Sequence, residues 1–131
     1  NDSAYNLYHR PLNRFVAEFV GESALLPGIV TSADTIATDL GEITGNLPES
    51  CKHQENVDVL IRPENVIIED ENENKAVITE RYFRGSGYLY TLKTSGGAEL
   101  LCLLPGSEGL QIDQSIGIRL QIERPVVFSR P

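Results

Sequence analysis

The chain has 131 residues, 40% of them hydrophobic, and a formal net charge of −8 with a sequence pI near 4.7. That length suits one domain burying roughly two thirds of its unfolded surface, and that charge repels a phosphate backbone, which argues against a nucleic-acid partner. No run approaches the ~20 apolar residues of a membrane-spanning helix and no basic-then-apolar leader opens the chain, so a soluble protein is expected.

Asp2 or Ser3 is placed to cap a short helical turn through Ala4, Leu7 and Tyr8, ended by Pro11. Leu12, Phe15, Val16 and Phe19 then recur at helical spacing, with Asn13 as a cap and Gly21 as a stop. A helix this short does not stand alone in water. Its apolar stripe must dock on a surface of this domain or of another. Methionine is absent, so Asn1 is no translation start, and the chain is expected to be processed or cut from a longer polypeptide.

From Leu25 the period changes to two. Leu25 to Thr31 contains Pro27 and Gly28 and reads as an edge strand. Thr35 to Leu40 presents Ile36, Thr38 and Leu40 on one face, and Gly41 to Thr44 starts a third short strand. Asn46 to Asn56 reads as a loop. Val57, Val59 and Ile61 alternate until Arg62-Pro63-Glu64, and Val66 to Ile68 is another apolar run. Glu69 to Asn74 is all carboxylates and amides, too polar to pack, and reads as a solvated connection.

The stretch from Arg81 to Leu104 organises the rest. A strand from Ala76 to Phe83 is broken at Arg84-Gly85-Ser86-Gly87, where two close glycines predict a bend or bulge. Tyr88, Tyr90 and Leu92 alternate with Leu89, Thr91 and Lys93, and Ser95-Gly96-Gly97 turns the chain into a further strand, Glu99 to Leu104. Ile116, Ile118, Leu120 and Ile122 alternate with Gly117, Arg119, Gln121 and Glu123, and Pro125 to Phe128 forms an extended tail. Eight or so short strands with turns between them predict a mainly β barrel or sandwich with an N-terminal helical segment.

Sites for chemistry are scarce. A phosphate-binding glycine loop is lacking. His9 and His53 have no triad or metal-site spacing around them and read as ordinary exposed histidines. The acidic run Glu69 to Glu73 lacks the order that aims oxygens at one cation. Cys51 and Cys102 stand apart with no Cys-x-x-Cys, which fits reduced thiols in a cytosol, with one bridge as the alternative. Tyr82, Phe83, Tyr88 and Tyr90 hold four of the nine aromatics. Such a sheet face is either core or subunit interface.

The lead Tyr8-His9-Arg10-Pro11-Leu12-Asn13-Arg14-Phe15-Val16-Ala17-Glu18-Phe19-Val20-Gly21 resembles the exit from the ATP-binding domain of bacterial ABC importers. Leu25-Leu26-Pro27-Gly28, Ile61-Arg62-Pro63-Glu64, and Phe83-Arg84-Gly85-Ser86 leading into Tyr88 to Leu92 resemble landmarks of the C-terminal TOBE (transport-associated OB) domain. The wording is most similar to the ferric-iron importer group, with spermidine/putrescine and sugar importers close behind. Ala24 stands where the family often has an asparagine.

This resemblance implies residues 1–24 as the helical tail of a missing ATP-binding domain with its linker, and 25–131 as an OB-like β-barrel. It implies a regulatory role without catalysis: no catalytic residue, cofactor or metal in this chain, with ATP and Mg expected in the missing domain. The implied partners are a second copy, pairing through this domain, and the importer's membrane subunits, reached through the missing domain. The implied location is cytoplasmic, peripheral to the inner face of the bacterial membrane. Phe83, Tyr88 and Tyr90 are the candidates for dimer interface or core. Arg62, Pro63 and Glu64, with Arg84 and Gly85, are candidate structural motifs, Arg62 and Glu64 forming a local ion pair. The alternative is a ligand-sensing OB-like domain that binds an oxyanion or metal ion at a subunit interface.

Overall fold

The computed structural model describes residues 23–106 and 109–130. The helical readings of Ala4 to Tyr8 and Leu12 to Phe19 lie outside the described residues. The described chain forms ten strands: β1 (Ala24–Ser32), β2 (Thr35–Thr38), β3 (Gly41–Thr44), β4 (Asn56–Ile61), β5 (Val66–Ile68), β6 (Lys75–Arg84), β7 (Gly87–Thr94), β8 (Glu99–Pro105), β9 (Ser115–Leu120) and β10 (Val127–Ser129). One 3-10 turn, Pro63–Asn65, separates β4 from β5.

These strands build two antiparallel five-stranded sheets, ordered β10-β4-β1-β2-β3 and β5-β9-β6-β7-β8. Alternation in the sequence becomes two environments. Leu26, Val30, Ile36, Val57, Val59, Ile61 and Val127 of the first sheet meet Ala76, Ile78, Tyr90, Leu92, Leu100, Ile116 and Ile118 of the second in one apolar cluster. Full burial of each aliphatic side chain is worth about 1.5–3 kcal/mol, so this cluster holds the two sheets face to face. On the far side of the second sheet, β8 lies against the Pro63–Asn65 turn and β5, and the Cys102 thiol donates to the Val66 carbonyl at 3.6 Å. The sheet thereby curls toward closure, giving an OB-like β-barrel.

Four expectations change. The first strand is not an edge, because β1 pairs with β4 over Ala24 to Ile29 and with β2 from Gly28 onward. The Val30 amide donates toward β4, to Glu55. Amides two residues apart share a side, so Pro27, an odd number of residues away, lacks its donor on the β2 side, where that ladder has already ended. Arg84 to Gly87 is not a bulge but a tight hairpin turn, with Arg84 opposite Gly87 and Gly85 at φ 62, a conformation glycine adopts without strain. The irregularity falls instead between Ile78 and Glu80.

The acidic connection is exposed at its carboxylates yet anchored by its backbone. The Glu69 amide donates to the Gly117 carbonyl at 2.8 Å and the Asn72 amide to the Glu69 carbonyl at 2.8 Å. Last, β9 stops at Leu120, leaving Ile122 outside the ladder, and the extended tail becomes β10, paired with β4.

Candidate interaction surface

Registers place each aromatic of the central meander. Phe83 lies opposite Tyr88 and Arg81 opposite Tyr90 across β6 and β7, while Tyr88 faces Leu104 and Tyr90 faces Cys102 across β7 and β8. Residues opposite each other share a face. Phe83, Tyr88 and Leu104 therefore continue the row that holds Tyr90 and Cys102. The other face carries Tyr82, Leu89 and Leu103 in one line.

Tyr88 and Tyr90 do share a face, but it is the inner one. Tyr90 is fully buried in the core cluster, and its hydroxyl has no hydrogen-bond partner among the described residues. Tyr88 is half-buried, its ring 5.9 Å from that of Tyr90 and 5.5 Å from that of Phe83 in an edge-to-face arrangement. The Arg81 guanidinium lies 5.1 Å from the centroid of Tyr88 and donates to the Leu110 carbonyl at 3.1 Å, so it spans the aromatic row and the loop after β8.

Beyond the barrel wall the meander continues as a ribbon. Residues Glu80 to Ser86 are all exposed. Phe83 is 66% exposed, Leu103 54% and Tyr82 49%, giving large apolar groups on both faces of the same projection. The Tyr82 hydroxyl donates to Glu80 Oε2 at 3.0 Å. That bond to a carboxylate holds the phenol proton and raises its pKa above the ordinary value. The sequence counts Tyr82 in the aromatic cluster read as core or interface, without naming it among the three candidates, and it does not single out Leu103. The unbroken run Leu100 to Leu104 has no alternation to tell its faces apart, and only pairing with β7 does so.

Arg62, Pro63 and Glu64 form the start of the 3-10 turn as a structural motif, but by a different residue than expected. Among the described residues, no ion pair joins Arg62 to Glu64. Asn65 takes the Arg62 amide on its Oδ1 at 2.8 Å and donates through Nδ2 to the Gln121 carbonyl at 3.2 Å, while the Gln121 amide donates to the Asn65 carbonyl at 2.8 Å. One side chain thus closes the turn and ties it to the end of β9. Pro63 fits the first helical position, where its missing donor costs nothing.

Outside the ribbon, Ile112, Ile29 and Val77 are exposed singly among polar residues. Among the described residues, Arg119 pairs with Glu69 at 2.7 Å, which holds the Glu69 carboxyl below its ordinary pKa, and Arg130 pairs with Asp58 at 3.3 Å. Among the described residues no group of His, Cys, Asp and Glu is arranged to hold a metal, and His53 is exposed beside Gln54. Cys102 is a free thiol, and burial pushes its pKa up to about 11, so it stays protonated. An open groove of about 380 Å³ on the first sheet is lined by Pro27, Ile29, Asp39, Asn56 and Arg130.

The described residues form a two-sheet OB-like barrel with an exposed apolar ribbon. A family model described as the TOBE domain matches residues 59–128, more than half of the chain, and the chain belongs to that family. It is 33% identical over 93 residues to the spermidine/putrescine import ATP-binding protein PotA of Acetivibrio thermocellus, covering 70% of this chain and 26% of that protein. It is 27% identical over 123 residues to the PotA of Aster yellows witches'-broom phytoplasma, covering 92% and 28%. The chain spans about a quarter of the length of these relatives. Both are named for polyamine import, so the finer resemblance to the ferric-iron group has no counterpart in them. Among solved structures, the cytoplasmic molybdate-binding protein ModG with molybdate bound shares the fold, with a TM-score of 0.66 over 86% of this chain and 98% of that one at 11% identity.

Proposed function

We propose that this chain is the C-terminal TOBE domain of the ATP-binding subunit of an ABC importer, on the cytoplasmic face of the membrane, with polyamines as the transported class. The observation that carries this reading is the match to two importer ATP-binding proteins named for spermidine and putrescine, in a chain about a quarter of their length. The domain works by contact area and performs no reaction. Two motor subunits open and close around ATP. A contact between their C-terminal domains that persists through both states keeps each motor at high effective concentration for the other.

In this reading the contact is the projecting ribbon of Tyr82, Phe83 and Leu103, with Tyr88 supporting Phe83 from behind and Tyr90 confined to the core. Large exposed apolar groups gathered on one projection favour it, because a monomer gains nothing by leaving them in water. Sedimentation of the chain across ~5–500 μM is expected to show a dimer that Phe83→Asp dissociates; a monomer throughout overturns the pairing. The motor assignment is tested by the residues encoded ahead of Asn1, where a phosphate-binding glycine loop is expected and its lack overturns the assignment. The fold shared with ModG keeps one second reading open, an oxyanion held between subunits. Heat released on titrating molybdate into the chain, with saturation, would favour it over the pairing role.

A further inference from the structure

The ribbon carries open backbone groups as well as side chains into solvent. Strand β9 pairs with β6 only from Lys75 to Val77, and the Ile78 amide and carbonyl still find Gln114 and Asp113 of the loop before β9. Beyond Ile78, on the side away from β7, no described strand lies against β6. The Thr94 amide donates to the Ala98 carbonyl, so every second residue of β7 counted from Thr94 bonds on the β8 side. The residues between, Leu89 and Gly87 among them, bond β6 through Tyr82 and Arg84. Arg81 and Phe83 therefore direct their amides and carbonyls outward, and among the described residues no hydrogen bond meets these four groups.

Open groups along a strand edge are a template for another strand. The side chains beside them select which strand. In order the edge reads Glu80, Arg81, Tyr82, Phe83, Arg84, with a carboxylate at one end and a guanidinium at the other, both on the face of Tyr82. Laid antiparallel against a copy of itself about Tyr82, this run sets Glu80 opposite Arg84 of the second copy, twice over by symmetry. Arg81 and Phe83 then exchange hydrogen bonds with Phe83 and Arg81 of the second copy, four in all. Moving the axis to Arg81 sets two guanidiniums opposite each other, and moving it to Phe83 leaves Glu80 opposite Ser86 and Arg84 opposite Tyr82. Opposite charges across a strand pair attract and like charges repel, so the edge is complementary to itself in one register. We propose that two copies of this chain join by strand addition, β6 to β6, antiparallel and centred on Tyr82.

The proposal rests on the pairing reading above and gives that contact its geometry: one sheet running through both domains. Tyr82 meets its counterpart at a position between hydrogen-bonded pairs, where Cα atoms stand ~4.5 Å apart. The row of Tyr82, Leu89 and Leu103 on the outer face continues across the axis into the same row of the second copy. Glu80 already accepts from the Tyr82 hydroxyl on Oε2, which leaves Oε1 to the incoming guanidinium. On the other face Phe83 lies beside Arg81 of the second copy, whose guanidinium is held by Tyr88 and the Leu110 carbonyl. A carboxylate introduced by Phe83→Asp loses the apolar contact and finds no free cation there.

The test is a charge exchange in the full 131-residue chain, with Kd for the dimer read by sedimentation and the fold of each variant checked by circular dichroism. Glu80→Arg and Arg84→Glu each set like charges opposite one another twice per dimer and are expected to raise Kd about tenfold. The two substitutions combined are expected to restore it to within threefold. Separately, Tyr82→Cys treated with copper phenanthroline is expected to give a disulfide-linked dimer at least tenfold faster than Phe83→Cys, whose counterpart lies off the axis, with the unsubstituted chain as the control for its own thiols. A dimer indifferent to the single substitutions, a combined variant that stays weak, or equal cross-linking at the two positions would each overturn strand addition while leaving the pairing reading in place. A chain monomeric at every concentration would overturn both.

Discussion

Gly117→Ala tests whether the acidic connection is a packed part of the barrel. A β-carbon at this buried position in β9 would lie well inside contact distance of the Glu69 carbonyl oxygen, 2.8 Å from that of Asn72 and 3.1 Å from that of Asp70. Ordinary contact begins near ~3.5 Å, so the turn must retreat by about 1 Å. The obstacles are backbone oxygens and cannot swing aside as a side-chain tip would. The same turn is hydrogen-bonded to the strand it would be pushed from, through the Glu69 amide to Gly117 and the Ile118 amide to the Asn74 carbonyl at 2.9 Å. Overpacking costs about 1–3 kcal/mol, and one or two lost hydrogen bonds add about 1 kcal/mol each. The sum is about 2–5 kcal/mol, or a fall in Tm of roughly 8–20 °C for a domain of this size. Urea unfolding followed by far-UV circular dichroism reads it. Gly85→Ala is the control, since nothing lies within 4 Å of its β-carbon and only its φ of 62° is at stake, worth about 1–2 kcal/mol. A Gly117→Ala loss under about 1 kcal/mol at unchanged m-value would refute the packed turn.

Three further outcomes are expected. Tyr90→Phe removes a buried hydroxyl without a partner and should leave urea stability unchanged or raise it by about 1 kcal/mol; a loss above about 1 kcal/mol would mean the hydroxyl is satisfied after all. Asn65→Ala should cost about 1–3 kcal/mol by freeing the Arg62 amide and the Gln121 carbonyl, and Asn65→Asp, which keeps the acceptor, should cost less in the same assay. The Cys102 thiol, raised from 9.0 to about 11, keeps its proton when folded while the unfolded chain loses it. Its stabilising contribution is therefore full below pH 9 and declines as pH rises from about 9 to 11, on the order of 1 kcal/mol per unit. Comparing urea midpoints of the chain and its Cys102→Val variant from pH 8 to 10.5 isolates this slope, and parallel curves would count against it.

Strand positions were readable because apolar residues recur at every second position, as Val57, Val59 and Ile61 do even in a strand buried on both faces, and because Ser95-Gly96-Gly97 supplies turn residues where a reversal is needed. The site was less readable. An aromatic at every second position says that Tyr88 and Tyr90 share a face, and not whether that face looks into the barrel. Phe83, which reads much like Tyr88, lies directly opposite it on the neighbouring strand, yet it is exposed while Tyr88 is half-buried. Pro27 reads as an edge residue because local rules count one missing donor, while the ladder on that side simply ends before it.

Local chemistry by itself determined the β character of the chain, its turns and its charge, since each of these depends on residues within a few positions of one another. The tertiary fold decided which side of each strand is inside, why Gly117 must remain small, and that Asn65 rather than an Arg62–Glu64 pair secures the turn. Those facts join residues as far apart as Asn65 and Gln121. Only strand pairing, not sequence spacing, brings such groups within reach of each other.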